Sequence, residues 1–268
     1  MSVFLNSSSI SESLTNANIV LLKVGTNTLM DSTQLNKKFL TELTYEISLL
    51  INSGKKVVLV TSGAVGLGKR RINFQGEKPF TIKTQQGLAA IGQIYLMDEY
   101  KKRFDLLGVE CAQVLLSQRD FNDSNCVKNI KNTFDFLFEQ KVVPIVNEND
   151  VVATEELRTN GAFSDNDSLS VLLAHKIGAK LIVMLTTKNG LIGRDGEILK
   201  ELKNVNELMQ MEKNSSDGRG GIDSKLKSIF AAQNIGQDVY VSGADSFSGF
   251  SKGKSIGTFI KGNKIYPI

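Results

Sequence analysis

The sequence predicts an α/β fold in which helices cover both faces of an open, mainly parallel sheet. Three observations predict it. Six short runs of β-branched and aliphatic residues recur along the chain, helical patterns fall between them, and no Pro- or Ser-rich linker divides the 268 residues. Strands buried on both faces read as continuous apolar runs, and a regular β-α-β-α order implies parallel pairing.

The strand runs are "NIVLLKV" (18–24), "KKVVLVT" (55–61), "VECAQVLL" (109–116), "KVVPIV" (141–146), "KLIVMLT" (180–186) and "QDVYVSG" (237–243). In 33–53, Leu35, Phe39, Leu43, Ile47, Leu50 and Ile51 recur at three- and four-residue spacing, and Gly54 stands just past the end. That is the pattern of an amphipathic helix with a glycine stop. Residues 84–107, 124–140, 166–178 and 222–236 carry similar stripes. The polar, glycine-rich "MEKNSSDGRGG" (211–221) is expected to be a mobile loop. One domain over 18–268 is expected, preceded by a flexible leader over 1–17 that lacks the basic start and apolar core of a secretory signal.

Composition narrows the function classes. With 41% hydrophobic and 22% charged residues, the chain has the make-up of an ordinary soluble domain. The 32 basic and 28 acidic residues leave a net charge of +4, which supports an anionic ligand weakly and nucleic acid hardly at all. Cys111 and Cys126 have neither metal-type spacing nor a disulfide framework, which fits a reducing cytoplasm. No apolar run reaches the roughly 18 residues that span a bilayer.

Ligands of open α/β sheets bind beyond the carboxyl ends of the strands. Those ends read "KVGTNT" (23–28), "TSGAVGLGKR" (61–70), "NEND" (147–150) and "TTKNGLIGRDG" (186–196). Glycines there let backbone N–H groups approach an anion, and a following helix N-terminus favours negative charge. Neither glycine loop is a P-loop or a Rossmann fingerprint, and each taken alone reads more simply as a turn. "GRGGIDSKLKSIFAAQ" (218–233) is a third such loop leading into a helix, with Lys225 expected near the first turn. A lysine, Lys23, at the end of an apolar first strand is harder to assign to a turn. From the residues alone, the acceptor is a small carboxylate or phosphate compound.

The motifs "VLLKVGTNTL", "VVLVTSGAVGLG", "GLAAIGQ", "VVPIVNENDVVAT", "SDNDSLSVLLA" and "GGIDSK" stand in the order found in the amino acid kinase family. The combination of "VTSGAV", "VPIVNENDVVAT" and "DNDSLS" resembles the glutamate 5-kinases of that family, from about residue 18 to about residue 260. The resemblance implies a three-layer αβα sandwich around a mainly parallel sheet of roughly eight strands. It places acceptor binding in the half from about 18 to 170 and nucleotide binding from about 171 to 268. It implies ATP-dependent phosphorylation of the L-glutamate side chain in the first step of proline biosynthesis, with feedback inhibition by proline. It also implies a homo-oligomer, dimer or tetramer, in the cytoplasm, with no role for nucleic acid or membrane. The sequence carries nothing that corresponds to the RNA-binding type of module, the PUA domain, that follows the kinase domain in many bacterial members.

By the same resemblance, Lys23 and Lys225 flank the transferring phosphoryl group and Asp167 holds both in place. Ser62, Gly63, Asp150 and Asn166 match the acceptor site. Lys23, Gly25, Thr186, Thr187, Arg219, Gly220, Gly221, Ile222, Asp223, Ser224 and Lys225 fall on the ATP side. Thr187 stands where these enzymes typically have an aspartate, and Arg219, Ile222 and Ser224 replace a threonine, a methionine and a threonine. The chemistry agrees: a carboxylate nucleophile is ionised at neutral pH, so alignment and fixed cations matter more than a general base. His175, the single histidine, reads as a packing or surface residue. Magnesium is expected to arrive on the ATP phosphates, with no metal site of the protein's own.

The stretch "NENDVVATEELRTNGAFSDNDS" (147–168) does not have the spacing of a calcium-binding EF-hand. It splits into polar corners at 147–150 and 165–168, joined by a hairpin-like excursion with "TNG" as its turn. On the family reading Asp150 and Asn166 face the ammonium group of an amino acid, and Glu155 and Glu156 are solvated. Two alternatives stay open at this level: a related kinase acting on another small acceptor, and a non-catalytic amino-acid sensor.

Overall fold

The first apolar run becomes the centre of the sheet. The structure, a computed structural model, describes residues 7–31, 34–76, 80–153, 165–193, 195–206, 208 and 220–263. The elements begin with α1 (Ser7–Asn16), β1 (Ile19–Val24), α2 (Thr26–Leu29), β2 (Met30–Asp31), β3 (Gln34–Leu35), α3 (Lys37–Asn52), β4 (Lys56–Thr61), α4 (Ala64–Arg71) and α5 (Ile82–Asp105). They continue with β5 (Cys111–Leu116), α6 (Ser124–Glu139), β6 (Val143–Glu148) and α7 (Asp165–Ile177). The last are β7 (Leu181–Thr186), β8 (Glu201–Leu202), α8 (Gly220–Asn234), β9 (Asp238–Gly243) and β10 (Gly257–Ile260).

The main sheet has eight strands in the order β5-β6-β4-β1-β7-β9-β10-β8. Every neighbouring pair is parallel except β9 and β10. All six expected runs are strands. The last two strands on one side, β10 and β8, have four and two residues; runs that short carry little periodic signal.

Side chains alternate across the sheet, so each strand feeds two cores. Val20, Leu22 and Val24 of β1 join α1, α3, α4 and α5 on one face, and Leu21 joins α6, α7 and α8 on the other. Helix, sheet and helix therefore make three layers, as expected. Local signals set the helix ends. The Asn36 side chain accepts from Phe39 N at 3.0 Å to start α3, and Gly54 ends that segment at φ +88°. Asp123 accepts from Asn125 N and Cys126 N to start α6.

The expected flexible leader over 1–17 needs correction over 7–16, which form α1. Ile10 and Leu14 sit in the core, and the Ser13 hydroxyl donates to Asp238 Oδ2 at 2.7 Å. Lys55 Nζ donates to the carbonyls of Thr15 and Ala17, closing the helix C-terminus with a cation. The serine-rich composition hid a segment with only a few apolar anchors. The hairpin-like excursion, Glu155, Glu156 and nearly all of the glycine-rich loop lie outside the described residues. No described helix is long and apolar enough to cross a membrane.

Strand order reverses beside β1. The path from β1 runs to β4 on one side, while the path from β7 runs to β9 on the other. The carboxyl ends of β1 and β7 therefore flank the crevice where α/β sheets bind ligands.

Candidate active site

Lys23 is the fifth residue of β1 and stands level with Val60 of β4 and Met184 of β7. Alternation turns it away from Leu22 and Val24, toward the layer of α6, α7 and α8. It is 4% exposed. An ammonium group buried in an apolar row is tolerable only with a charged partner. Asp167, itself buried, supplies it through a direct ion pair. Asp167 is the third residue of α7, where the helix N-terminus favours a carboxylate.

Lys225 joins them from α8. It is the sixth residue of that helix, so it lies in the second turn rather than the first. Burial holds its pKa below the usual lysine value, Lys23 lowers it further, and Asp167 opposes both. The three groups share one electrostatic neighbourhood. Two ammonium groups against one carboxylate leave a net positive charge, which suits an anion at the mouth of the crevice.

A polar corner adjoins this trio. Asn166, the neighbour of Asp167, donates from Nδ2 to Ser62 Oγ at 2.9 Å and to Asn147 Oδ1 at 3.2 Å. Asn147 donates in turn to Gln93 Oε1 at 2.8 Å. The Oδ1 of Asn166 is buried with no hydrogen-bond partner among the described residues. Since Ser62 Oγ accepts from Asn166, its own hydrogen remains to be donated. An unfilled acceptor and an adjacent donor together match a zwitterionic amino acid.

Gly63 follows Ser62 at φ +105°, and a Cβ there would lie 2.9 Å from Leu29 Cδ2. Asp150 lies half-buried in the turn after β6, likewise beyond the carboxyl end of a strand. Gly25 keeps the space beside Lys23 open, since a Cβ there would stand 3.4 Å from Lys23 Nζ. Thr186 ends β7 and its hydroxyl is engaged locally, donating to Lys188 O and accepting from Lys188 N. Thr187 is exposed, and Ser224 is buried one residue before Lys225. Gly220, Gly221, Ile222 and Asp223 form the first turn of α8, with their side chains outside the described set, and Arg219 lies outside it altogether. His175 is exposed near the end of α7, far along the helix from Asp167.

The helix N-termini expected after the two glycine loops are unequal. The loop after β1 leads only to the single turn α2, whereas Gly63 opens the eight-residue α4. Among the described residues no group of three or more His, Cys, Asp or Glu side chains is placed to hold a metal.

Gln93 and Asn147 were not among the residues expected in the site. Both lie inside quoted motifs: Gln93 closes "GLAAIGQ" and Asn147 opens "NEND".

Comparison with known proteins gives a consistent set of likenesses. The model of the amino acid kinase family matches residues 18–242. A glutamate 5-kinase from Enterococcus faecalis is 37% identical over 265 residues, covering 93% of this chain and 97% of that protein. A glutamate 5-kinase from Thermotoga maritima is 36% identical over 242 residues, covering 89% of this chain and 67% of that protein. Among solved structures, carbamate kinase from Giardia lamblia bound to AMP-PNP superposes with a TM-score of 0.63 at 14% identity, covering 92% of this chain and 99% of that one.

Proposed function

The chain belongs to the amino acid kinase family and, within it, to the glutamate 5-kinases; on that premise we propose how its residues transfer the γ-phosphoryl group of ATP to L-glutamate. The products are L-glutamyl 5-phosphate and ADP, the first step of proline biosynthesis. The observation that carries the assignment of roles is one turn of α7. It presents Asn166, with its unfilled acceptor, beside Asp167, which holds the buried Lys23.

The α-ammonium group of glutamate donates to Asn166 Oδ1 and is met by the carboxylate of Asp150. The hydroxyl of Ser62 donates to the α-carboxylate, and Gly63 lets the backbone pass close to it. The side-chain carboxylate, ionised at neutral pH, then attacks the γ-phosphorus in line, and the bond from phosphorus to the bridging oxygen of ADP breaks. Lys23 and Lys225 neutralise charge on the phosphoryl oxygens as it develops, and Asp167 fixes Lys23 in position. Gly25, Thr186, Thr187, Arg219, Gly220, Gly221, Ile222, Asp223 and Ser224 make up the nucleotide side. Mg2+ arrives on the ATP phosphates, since Asp167 is already committed to Lys23. Inhibition by proline, a dimeric or tetrameric assembly and a cytoplasmic location complete the reading.

The test is hydroxylamine trapping. With ATP, Mg2+ and L-glutamate the protein should form a hydroxamate, and Lys23→Ala should lose it by a factor of about a hundred or more, as for removal of a group that stabilises transition-state charge. Equal traces from the two proteins would overturn the role of Lys23. No trace from either would overturn the activity.

A further inference from the structure

Asn147 lies at the centre of a chain of three amides whose direction is set by the backbone. Its Oδ1 accepts from the N–H of Glu148 at 2.9 Å. A backbone N–H can only donate, so this bond fixes which end of the Asn147 amide is oxygen. Nδ2 of Asn147 must then point the other way, and it donates to Gln93 Oε1 at 2.8 Å. On the opposite side, Asn147 Oδ1 also accepts from Asn166 Nδ2 at 3.2 Å. That bond engages the Nδ2 of Asn166 and leaves its Oδ1 on the other side of the amide, buried and without a hydrogen-bond partner among the described residues.

The two ends of the chain carry unfilled atoms. Gln93 Nε2 and Asn166 Oδ1 are both buried without a hydrogen-bond partner among the described residues, and both side chains are at least nine-tenths buried. Buried polar atoms are nearly always paired, so an orphan at each end of one network calls for a reason. Reversing all three amides would not remove the orphans, and it would set an N–H2 group of Asn147 against the N–H of Glu148.

We propose that Gln93 is a positioning residue for substrate recognition. The Glu148 N–H sets which way the Asn147 amide faces, and Gln93 holds that amide in place against Asn166, whose acceptor oxygen is thereby kept for the ammonium group of the amino acid. This rests on the glutamate reading above and extends it to a residue on α5, in the layer opposite α7. Gln93 touches no reacting atom on this account. It acts through Asn147 and on one functional group of the substrate only.

The experiment compares Gln93→Met, which keeps the length but loses the acceptor oxygen, with Gln93→Glu, which keeps that oxygen. L-glutamate is the substrate, and glutarate, the same dicarboxylate without the ammonium group, is the competitive inhibitor. Loss of one hydrogen bond that orients a charged contact corresponds to roughly a tenfold effect. Gln93→Met should raise the KM for glutamate about tenfold, with kcat and the KM for ATP within about threefold of the parent. The inhibition constant of glutarate should stay unchanged, and Gln93→Glu should restore the KM for glutamate to near the parent value.

An equal loss of glutarate and glutamate binding in Gln93→Met would mark a merely structural role and overturn the proposal. If Gln93→Met does not fold, Gln93→Glu decides alone: a parent-like KM supports the proposal, and a tenfold increase overturns it. A parent enzyme that does not turn over glutamate would instead overturn the activity on which the proposal rests.

Discussion

Lys23 and Lys225, the two lysines proposed to meet the phosphoryl oxygens, sit in different environments. Lys23 is locked to Asp167 inside the sheet row, while Lys225 has its pKa depressed by burial first and by Lys23 second, against the pull of Asp167. A lysine with a lowered pKa loses its proton at a lower pH than an ordinary one. The kcat/KM for ATP, which reports the free enzyme, should therefore fall on the alkaline side below the usual lysine range. Bound nucleotide adds negative charge and pulls the value back up, so the same limb in kcat should lie at higher pH. Lys225→Arg, which stays charged, should flatten the limb even where its rate is low. Coincident limbs in kcat and kcat/KM would contradict this. Asp167→Asn removes the carboxylate that is ion-paired with the buried ammonium of Lys23. Denaturant unfolding should show a loss of about 3–5 kcal/mol, the usual range for breaking a buried pair; a change under about 1 kcal/mol would mean that the pair is solvated.

At this scale the sequence marked Lys23, Asp167, Lys225, Ser62 and Asn166 through their motifs, and the structure brings them together near the carboxyl ends of the strands. Gln93 and Asn147 escaped because a lone amide on a helical stripe or after a strand looks like any polar residue. Their meaning lies in which atom faces which, and hydrogen-bond direction leaves no trace in spacing.

Among the elements, the pairing of α4 with α5 decides how the acceptor corner is built. The two helices cross backbone to backbone at two glycines. A Cβ on Gly68 would lie 1.8 Å from Leu88 O, and one on Gly92 would lie 1.8 Å from Ala64 O. The same helices carry the corner, since Ser62 and Gly63 lead into α4 and Gln93 follows Gly92. Gly92→Ala must push α4 away, at about 1–3 kcal/mol of stability for overpacking. It should also raise the KM for glutamate while changing ATP binding little. Gly87, in the same helix and exposed, has nothing within 4 Å of its Cβ position, so Gly87→Ala should leave KM unchanged and add up to about 1 kcal/mol. Equal effects of the two substitutions on KM would contradict the packing account. The glycine-rich "GAVGLG" read as an anion cradle from sequence; of its glycines, Gly63 serves the turn before α4 and Gly68 serves the helix crossing. Sequence shows that glycine is needed and leaves open what the missing side chain makes room for. The helix α1 was missed for a related reason. Its stability comes from Ile10, Leu14 and the Ser13–Asp238 bond, partners that are distant in the chain.

The whole molecule gathers the candidate site by topology. The order β5-β6-β4-β1-β7-β9-β10-β8 reverses direction at β1 and β7. Lys23 is therefore gathered at one crevice with Thr186 and the start of α7, both more than a hundred residues away in sequence. Six strands, five of them buried, and five helices were legible, the strands as continuous apolar runs and the helices by their apolar stripes. The antiparallel β10 and the two-residue β8 were not, since they finish the sheet through register with neighbours and carry almost no periodic signal of their own. On the proposed mechanism the side-chain carboxylate of glutamate, held at this crevice, attacks the γ-phosphorus of ATP. The most direct measurement uses L-glutamate with heavy oxygen in that carboxylate. The acyl phosphate closes spontaneously as its amine attacks the carbonyl carbon, and the phosphate leaves with the oxygen that bridged carbon and phosphorus. The account predicts inorganic phosphate that carries the heavy oxygen, in step with ADP formation. Phosphate without the label would show that water, and not glutamate, is the acceptor, and would contradict it.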